Sequence, residues 1–584
     1  MSAFPPSAVI PPPGGASQLS ARLLRRWPVA VALLVAAHLA FGVFGRGIWK
    51  PDEPREAAIA ARMARLGADL VVPHLGGAVF CEKPPLYYWL AAGAIRALGD
   101  TPAAIRLPNF LYAIAGALLL GALARAAAGR GAALAAGVLM GTFYLAYRVE
   151  IWIATDALLM LSVAGALLGC YRGVTARRGA PKLGWYALAA GFLAAGFLTK
   201  NVVAWIVPAL ALLALIAWER RWRELIAWEL LVAVAMLLGA CVPWVLAVAA
   251  RPEGTRYLHG FFVDNLFGRF GRIGGVGYPD AHPGWVGAYL VDLPVDLLPW
   301  TFLIVAAVVA AWRIVRRPAG TDEVEDMKRT AWRFAVAAIV PGFVVLSAAA
   351  SARDVYAAVL MPGFALLGGL WVAKALAKPS RLDERMIRAT AVLLGVVALL
   401  LPPGLLVGVL KLGAPLPPLA VGVLCVGWLV GVALAWRSWT AARAARPERS
   451  LVSGVACLVI AWSCGAPLTF PVFDRAQNLA PVGYAAREVA SAHALVLWQP
   501  DETIIGTLDH FVAMNPPALQ TIDEVRARLV TAPDLRLLAR ATGGRDTGRR
   551  LAELVAASGL TIERRIDLPE PGGRRYVILS PRAR

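Results

Sequence analysis

The sequence predicts a polytopic α-helical membrane protein of about thirteen transmembrane helices, followed by a C-terminal soluble α/β domain. Three observations carry that reading. The 584 residues are 59% hydrophobic and only 16% charged, with a mean hydropathy of +0.64. Apolar runs recur along the chain near the ~20 residues that cross a bilayer as a helix. Past residue 472 the composition changes to short alternating and helical patterns, as in a soluble domain.

The N-terminal 1–20 are rich in Pro, Ser and Gly and read as a disordered tail. Arg22, Arg25 and Arg26 then precede an apolar run without a small-residue cleavage site, so the run is an uncleaved first span over 27–45. Further spans are expected at 103–125, 131–147, 154–171, 184–199, 202–218, 227–249, 294–312, 332–350, 355–373, 389–410, 417–436 and 451–470. Loop charge checks this assignment. The loops placed inside carry Arg125 and Arg130, Arg172 to Lys182, Arg220 to Arg223, Arg313 to Arg329, Lys374 to Arg388 and Arg437 to Arg449. The joints placed outside are poorer in Lys and Arg, which is the positive-inside bias. The formal net charge of +21 follows from that bias. It marks no nucleic-acid surface, so no nucleic-acid partner is expected. Five of the six cysteines (Cys81, Cys170, Cys241, Cys425, Cys457 and Cys464) lie in apolar segments, and no CxxC or Cys/His metal spacing occurs.

With the N-terminus inside, the stretch from Ile48 to Leu90 lies outside. It carries two charged clusters, Asp52, Glu53, Arg55 and Glu56, then Glu82 and Lys83. Amphipathic helices are expected within it at about 53–66 and 84–98, lying on the outer membrane surface. A second outside loop, 251–293, holds Arg256, His259, Asp264, Arg269, Arg272, Asp280 and His282. The tail, 472–584, shows strand patterns at 492–498, 535–540, 560–568 and 574–580, with helical patterns at 501–511, 521–530 and 547–558. It has no glycine fingerprint for a nucleotide, and Gly543-Gly544 is a lone turn signal. A capping or docking module fits it best. No internal repeat is visible.

Asp52, Glu53, Arg55, Glu82, Lys83, Asp156, Lys200, Arg269, His282, Arg353 and Asp354 all fall at outside span ends or in outside loops. Singly, each reads as an ordinary flanking charge. Together they deliver acids and cations from many elements to one face, which points to a site. In such a set Asp52 serves as general base for an acceptor hydroxyl, and Lys83, Arg55, Arg269 and Arg353 hold a departing phosphate. No P-loop, Ser-His-Asp order or zinc helix motif is present. A donor already dissolved in the lipid phase is therefore the economical choice.

The pair PDEPREAAIAARM (51–63) and FCEKPPLYYWL (80–90) resembles the first periplasmic loop of bacterial family 39-type glycosyltransferases. Within these, it is most similar to the aminoarabinose lipid A transferases, with protein O-mannosyltransferases as more distant relatives. The likeness continues through IATDALLM (153–160), LTKNVVAWIVPALALL (198–213), FVDNLFGRF (262–270), GYPDAHPGW (277–285), LPWTFLI (298–304) and SARDVYAAVLMPGFALL (351–367). It extends into the tail at LWQPDETI (497–504). The resemblance implies the type C glycosyltransferase fold, a place in the bacterial inner membrane, and periplasmic exposure of 46–102, 251–293 and 472–584. It implies transfer of a sugar from an undecaprenyl-phosphate donor to lipid A by a monomer using no nucleotide. Carried over by position, Asp52, Lys83 and Asp156 are the catalytic residues. Arg55, Lys200, Arg269, Arg353 and Tyr356 contact donor phosphate or lipid, and Glu82 ligates a divalent metal, zinc or magnesium. The chain departs from the family where a histidine is expected beside FVDNLFGRF: Asp264 and Asn265 stand there, leaving His259 and His282 as the remaining metal candidates.

Two other readings compete. Protein or another envelope glycan is the alternative acceptor within the enzyme class. A transporter or flippase of lipid-linked sugar is the alternative outside it, weakened by charges gathered at one face and the absence of a repeat.

Overall fold

A chain crossing lipid must satisfy its backbone polar groups internally, which makes helices the only open-ended solution. The computed structural model describes residues 18–266, 268, 287–316, 323–349, 353–542, 546–569 and 574–582. Among them ten helices are long and apolar enough to cross a membrane, or eleven if the bent pair Ala288–Asp296 and Thr301–Val315 counts as one span. The chain is thus a multi-pass membrane protein with fewer full-length spans than the thirteen expected.

The difference has local causes. The expected spans at 103–125 and 131–147 correspond to the two arms of Pro102–Met140, which doubles back at Gly129, where φ is 86°, within the turn expected between them. Its arms lie so close that a Cβ on Gly121 would meet the Ala133 carbonyl at 3.1 Å, and one on Gly137 the Ala117 carbonyl at 3.2 Å. The second arm stops at Met140, and a separate short helix, Tyr144–Glu150, follows. The run at 202–218 is a 16-residue helix, Val203–Trp218, set off from the preceding one at Asn201, where φ is 78°. The run at 294–312 is broken by 117° around Pro299, whose missing N–H cannot continue a helix.

The helices Asp156–Thr175 and Ala180–Lys200 form an antiparallel pair packed through glycines. Gly165 faces Phe192, Gly169 faces Ala189 and Trp185, and Gly173 faces Tyr186. Small residues spaced by four let helix backbones approach in lipid, where packing and not water drives association. This pair carries Asp156 at one start and Lys200 at the opposite end, so the crossing brings the two side chains to one level.

The first loop departs from expectation. Its helix α1 (Glu53–Met63) was expected on the membrane surface with one face in lipid. Instead nine of its 11 residues are buried, Glu53 and Glu56 included. The reason is a second layer: helix α3 (Glu502–Val512) of the C-terminal domain lies across it. Helix α2 (Leu86–Leu98) buries Tyr87, Tyr88, Ala91, Ala92 and Ile95 and leaves Leu90 and Leu98 exposed, an amphipathic arrangement.

The last span, Pro447–Gln477, runs past the expected boundary at 472 and ends by clasping the first loop. Asp474 accepts from the Gly47 amide and the Trp49 indole, each at 2.7 Å, and Lys50 N–H donates to Gln477 O at 3.0 Å. After the helix Ala480–Ala490 come strands β1 (Leu495–Trp498), β2 (Ala518–Leu519), β3 (Arg536–Arg540), β4 (Leu560–Asp567) and β5 (Arg575–Pro581). Their order in the sheet is β2-β1-β3-β5-β4. The β1 strand is parallel to β2 and β3, while β5 runs antiparallel to β3 and β4. Helix α3, Ile522–Thr531 and Thr547–Ser558 make the connections.

Gly169→Val tests the helix crossing. Its branched side chain would enter the space held by the backbone of Ala189 and Trp185, 2.6 and 2.7 Å from a Cβ there. Backbone cannot yield as a side-chain end can, so about 1–3 kcal/mol of destabilisation is expected. Thermal unfolding of the detergent-solubilised protein should show a lower Tm.

Candidate functional site: a charged cavity under the C-terminal domain

The site is organised by a carboxylate that does not face it. Glu53 is wholly buried and accepts six hydrogen bonds. Arg46 donates at 2.9 and 2.7 Å and Arg106 at 3.2 and 2.7 Å, while the amides of Trp49 and Ile153 donate at 2.6 and 2.9 Å. Burial opposes the charge, but Arg106 and Arg46 outweigh it and hold the carboxyl below its ordinary range. The Arg46 guanidinium also lies 4.1 Å from the Trp49 ring centre and 5.1 Å from that of Trp152. One acid thereby joins the end of the first span, the start of α1, the Pro102–Met140 helix and the turn leading to Asp156.

Next to this node opens a cavity of about 260 Å³ lined by Asp52, Arg55, Glu82 and Lys83 of the first loop and by residues far along the chain. Asp52 accepts from Arg55 at 3.1 Å and Arg353 at 3.2 Å. Burial would raise the Asp52 carboxyl, yet Arg55, Arg353 and Lys83 together keep it below the usual carboxylate range. Lys83 bonds Glu56, whose other oxygen accepts from the Tyr88 hydroxyl at 2.7 Å. Lys200 meets Asp156 at 2.6 Å and lies 5.4 Å from the Tyr356 ring centre. Arg148 pairs with Asp354 at 2.7 Å. The segment Gly254–Leu258 supports this floor, with the Tyr257 hydroxyl donating to the Lys83 carbonyl at 2.8 Å.

Of the residues singled out in the sequence, Asp52, Lys83, Asp156, Arg55, Lys200, Arg353, Tyr356 and Glu82 all line this one cavity. Arg269 and His282 lie outside the described residues. His259 is not among the lining residues and pairs with Asp264 at 3.5 Å. Glu82 lies 3.8 Å from Arg55. Among the described residues no group of three or more His, Cys, Asp or Glu is placed to hold a metal ion.

Sequence reasoning missed the roles of Glu53, Glu56, Arg46, Arg106, Arg148 and Glu502. Arg106 carried a signal, because an arginine within an expected span is costly unless paired. Glu502 carried none: it reaches Arg55 from the C-terminal domain across 447 positions.

With this geometry in view, the likeness to known proteins takes shape. Residues 82–246 match the family described as dolichyl-phosphate-mannose-protein mannosyltransferase. Over 284 residues the chain is 35% identical to an undecaprenyl phosphate-alpha-4-amino-4-deoxy-L-arabinose arabinosyl transferase of Pseudomonas aeruginosa, covering 47% of this chain and 50% of that protein. The chain thus matches about half the length of that relative. A Serratia proteamaculans protein of the same name is 28% identical over 435 residues, 71% of this chain and 74% of its own. The crystal structure of ArnT from Cupriavidus metallidurans superposes over 96% of this chain and 98% of its own, with a TM-score of 0.67 and 19% identity. The fold is that of the aminoarabinose transferases. A second structure of that ArnT, bound to undecaprenyl phosphate, matches with a TM-score of 0.66 and 20% identity. The type C fold expected from the sequence is therefore the fold observed.

Arg106→Met tests the Glu53 node. It leaves a buried carboxylate with one cation and should cost about 3–5 kcal/mol in chemical denaturation. Because the Glu53 carboxyl is depressed on folding, its contribution is complete above the ordinary carboxylate range and is lost as pH falls through the folded value. Acidification should therefore lower the Tm of the wild-type protein more than that of Glu53→Gln.

Proposed function

We propose that this chain is a membrane glycosyltransferase that moves a sugar from undecaprenyl phosphate to lipid A. The aminoarabinose-type pentose is the sugar class its relatives' names carry. It would act as a monomer in the bacterial inner membrane, with the cavity and C-terminal domain facing the periplasm. The observation that carries this reading is the cavity itself: Arg55, Lys83, Lys200 and Arg353 surround Asp52 and Asp156 at the end of an apolar bundle.

In the proposed reaction an acceptor oxygen attacks the anomeric carbon as the bond from that carbon to the donor phosphate breaks. The bonding pair leaves with the phosphate oxygen, and polyprenyl phosphate is released. Arg55, Lys83, Lys200 and Arg353 would take up the charge gained by the leaving phosphate. They are held in place beforehand by acids, so little reorganisation is needed. Asp156 would orient Lys200, and Tyr356 would confine it from the ring side.

The state of Asp52 bears on the acceptor. A carboxyl held below its usual range is a weak proton acceptor. An anionic acceptor such as a lipid A phosphate needs no proton removed, and Asp52 then positions the sugar or an ammonium group on it. A hydroxyl acceptor would instead require Asp52 as the base. Orientation in the membrane has its own support in the basic loops on the opposite side, in keeping with the positive-inside bias.

Lys83→Ala and Asp52→Asn test the assignment with labelled undecaprenyl-phosphate sugar. Each should lower turnover by at least about a hundredfold, the scale of a lost electrostatic stabiliser, with membrane insertion unchanged. Wild-type turnover by both would refute it. Mass spectrometry of lipid A and total envelope glycans, with and without the gene, should show the sugar on lipid A. A mass change on protein or another glycan instead would reassign the acceptor.

A further inference from the structure

Arg55 is the most contested cation of the cavity. Its Nε donates to Glu56 at 3.2 Å, one terminal nitrogen donates to Asp52 at 3.1 Å, and the other bonds Glu502 of the C-terminal domain. Glu82 stands 3.8 Å away. Every nitrogen of the guanidinium is therefore engaged by a carboxylate. An anionic group that binds this fork therefore competes with the carboxylates around it.

The four acids are not equal. The Glu56 side chain is 0% exposed and is also held by Lys83 and Tyr88, and Asp52 is held by Arg353. The side chains of Asp52 and Glu82 are 24% and 21% exposed, and that of Glu502 is 44%. Glu502 is also the only one of the four that belongs to another domain. Partial burial pushes its carboxyl up although Arg55 pulls the other way, so its charged form is less firmly held than that of Asp52.

Its placement is nonetheless built. Asp501 caps α3 by accepting from the Ile504 amide at 2.9 Å, and it takes Arg540 at 2.9 Å and Arg574 at 3.4 Å, tying the helix start to the sheet. One turn on, Gly506 lies against the backbone of α1; a Cβ there would come within 2.6 Å of the Arg55 N and Cα. Asp509 then meets Arg62 at 3.1 Å and the Gly76 amide at 3.2 Å. Glu502, Gly506 and Asp509 share one face of α3. That face sets the C-terminal domain on α1 with Glu502 at its site-ward end.

We infer that Glu502 is a positioning residue that holds the Arg55 fork in the empty site and is the carboxylate that donor phosphate displaces. Donor binding is thereby coupled to the C-terminal domain, which becomes part of the donor site. The inference rests on the donor class proposed above.

Equilibrium binding of labelled undecaprenyl phosphate to the full chain in detergent tests it, with undecaprenol as the neutral control. Glu502→Gln removes the competing charge and should tighten binding about tenfold, the scale of one charge-assisted hydrogen bond. Glu502→Asp keeps the charge but withdraws it by one methylene, and should also tighten binding. A merely structural role predicts weaker binding in both variants, so a gain separates the two. Unchanged or weaker binding by Glu502→Gln overturns the inference, with the donor assignment intact. Tightening by Glu502→Gln alone would mean a diffuse charge effect and would equally overturn displacement. If the wild-type protein binds undecaprenyl phosphate no better than undecaprenol, the donor assignment falls and this inference with it.

Discussion

A single buried ion cluster, Glu53 between Arg46 and Arg106, is the constraint from which the rest of the site follows. A carboxylate in a low-dielectric interior is tolerable only when its lone pairs are taken up, and here two guanidinium groups and two backbone amides take them. Because the donors come from three separate stretches of chain, the cluster can form only when those stretches meet in one way. Asp52 directly precedes Glu53, and Asp156 follows shortly after Ile153, whose amide the cluster holds. The two acids of the cavity therefore inherit their positions from a residue that never touches the cavity.

Around that anchor, charge is distributed in pairs. Lys83 with Glu56, Lys200 with Asp156, Arg353 with Asp52 and Arg148 with Asp354 each hold a long side chain in one place. Isolated cations of this length would sample many rotamers and leave their ordering to be done at the moment of binding. Paired ones are already ordered, at the expense of competing with an incoming anion. Arg55 shows both sides of this compromise, since it is fully engaged and also central to the cavity.

The C-terminal domain is more than a cover. Its small mixed sheet presents α3 to α1, and the absence of a side chain at Gly506 lets the two helices touch backbone to side face. The last membrane helix reinforces the same junction through Asp474 and the antiparallel bridge of Trp49 to Asn478. The first loop is thus clamped from the membrane bundle below and from the soluble domain above. That explains why α1, amphipathic enough to lie at a membrane surface, is instead buried nearly all round.

The sequence by itself determined the class of the protein, because hydropathy is a local property that acts residue by residue. It also picked out residues that meet in the cavity: Asp52, Lys83, Asp156, Lys200 and Arg353 stand out as charges at span ends, where charge is costly. The exact span count was less legible. Pro299 breaks the apolar run at 294–312, and the run at 131–147 yields a short arm and a separate helix instead of one crossing. Only the tertiary structure decided that Glu53 is an anchor while its neighbour Asp52 faces the cavity, and that Glu502 reaches Arg55. Both outcomes depend on partners hundreds of positions away, whose distances are set by helix crossings and domain docking and leave no periodicity in the chain.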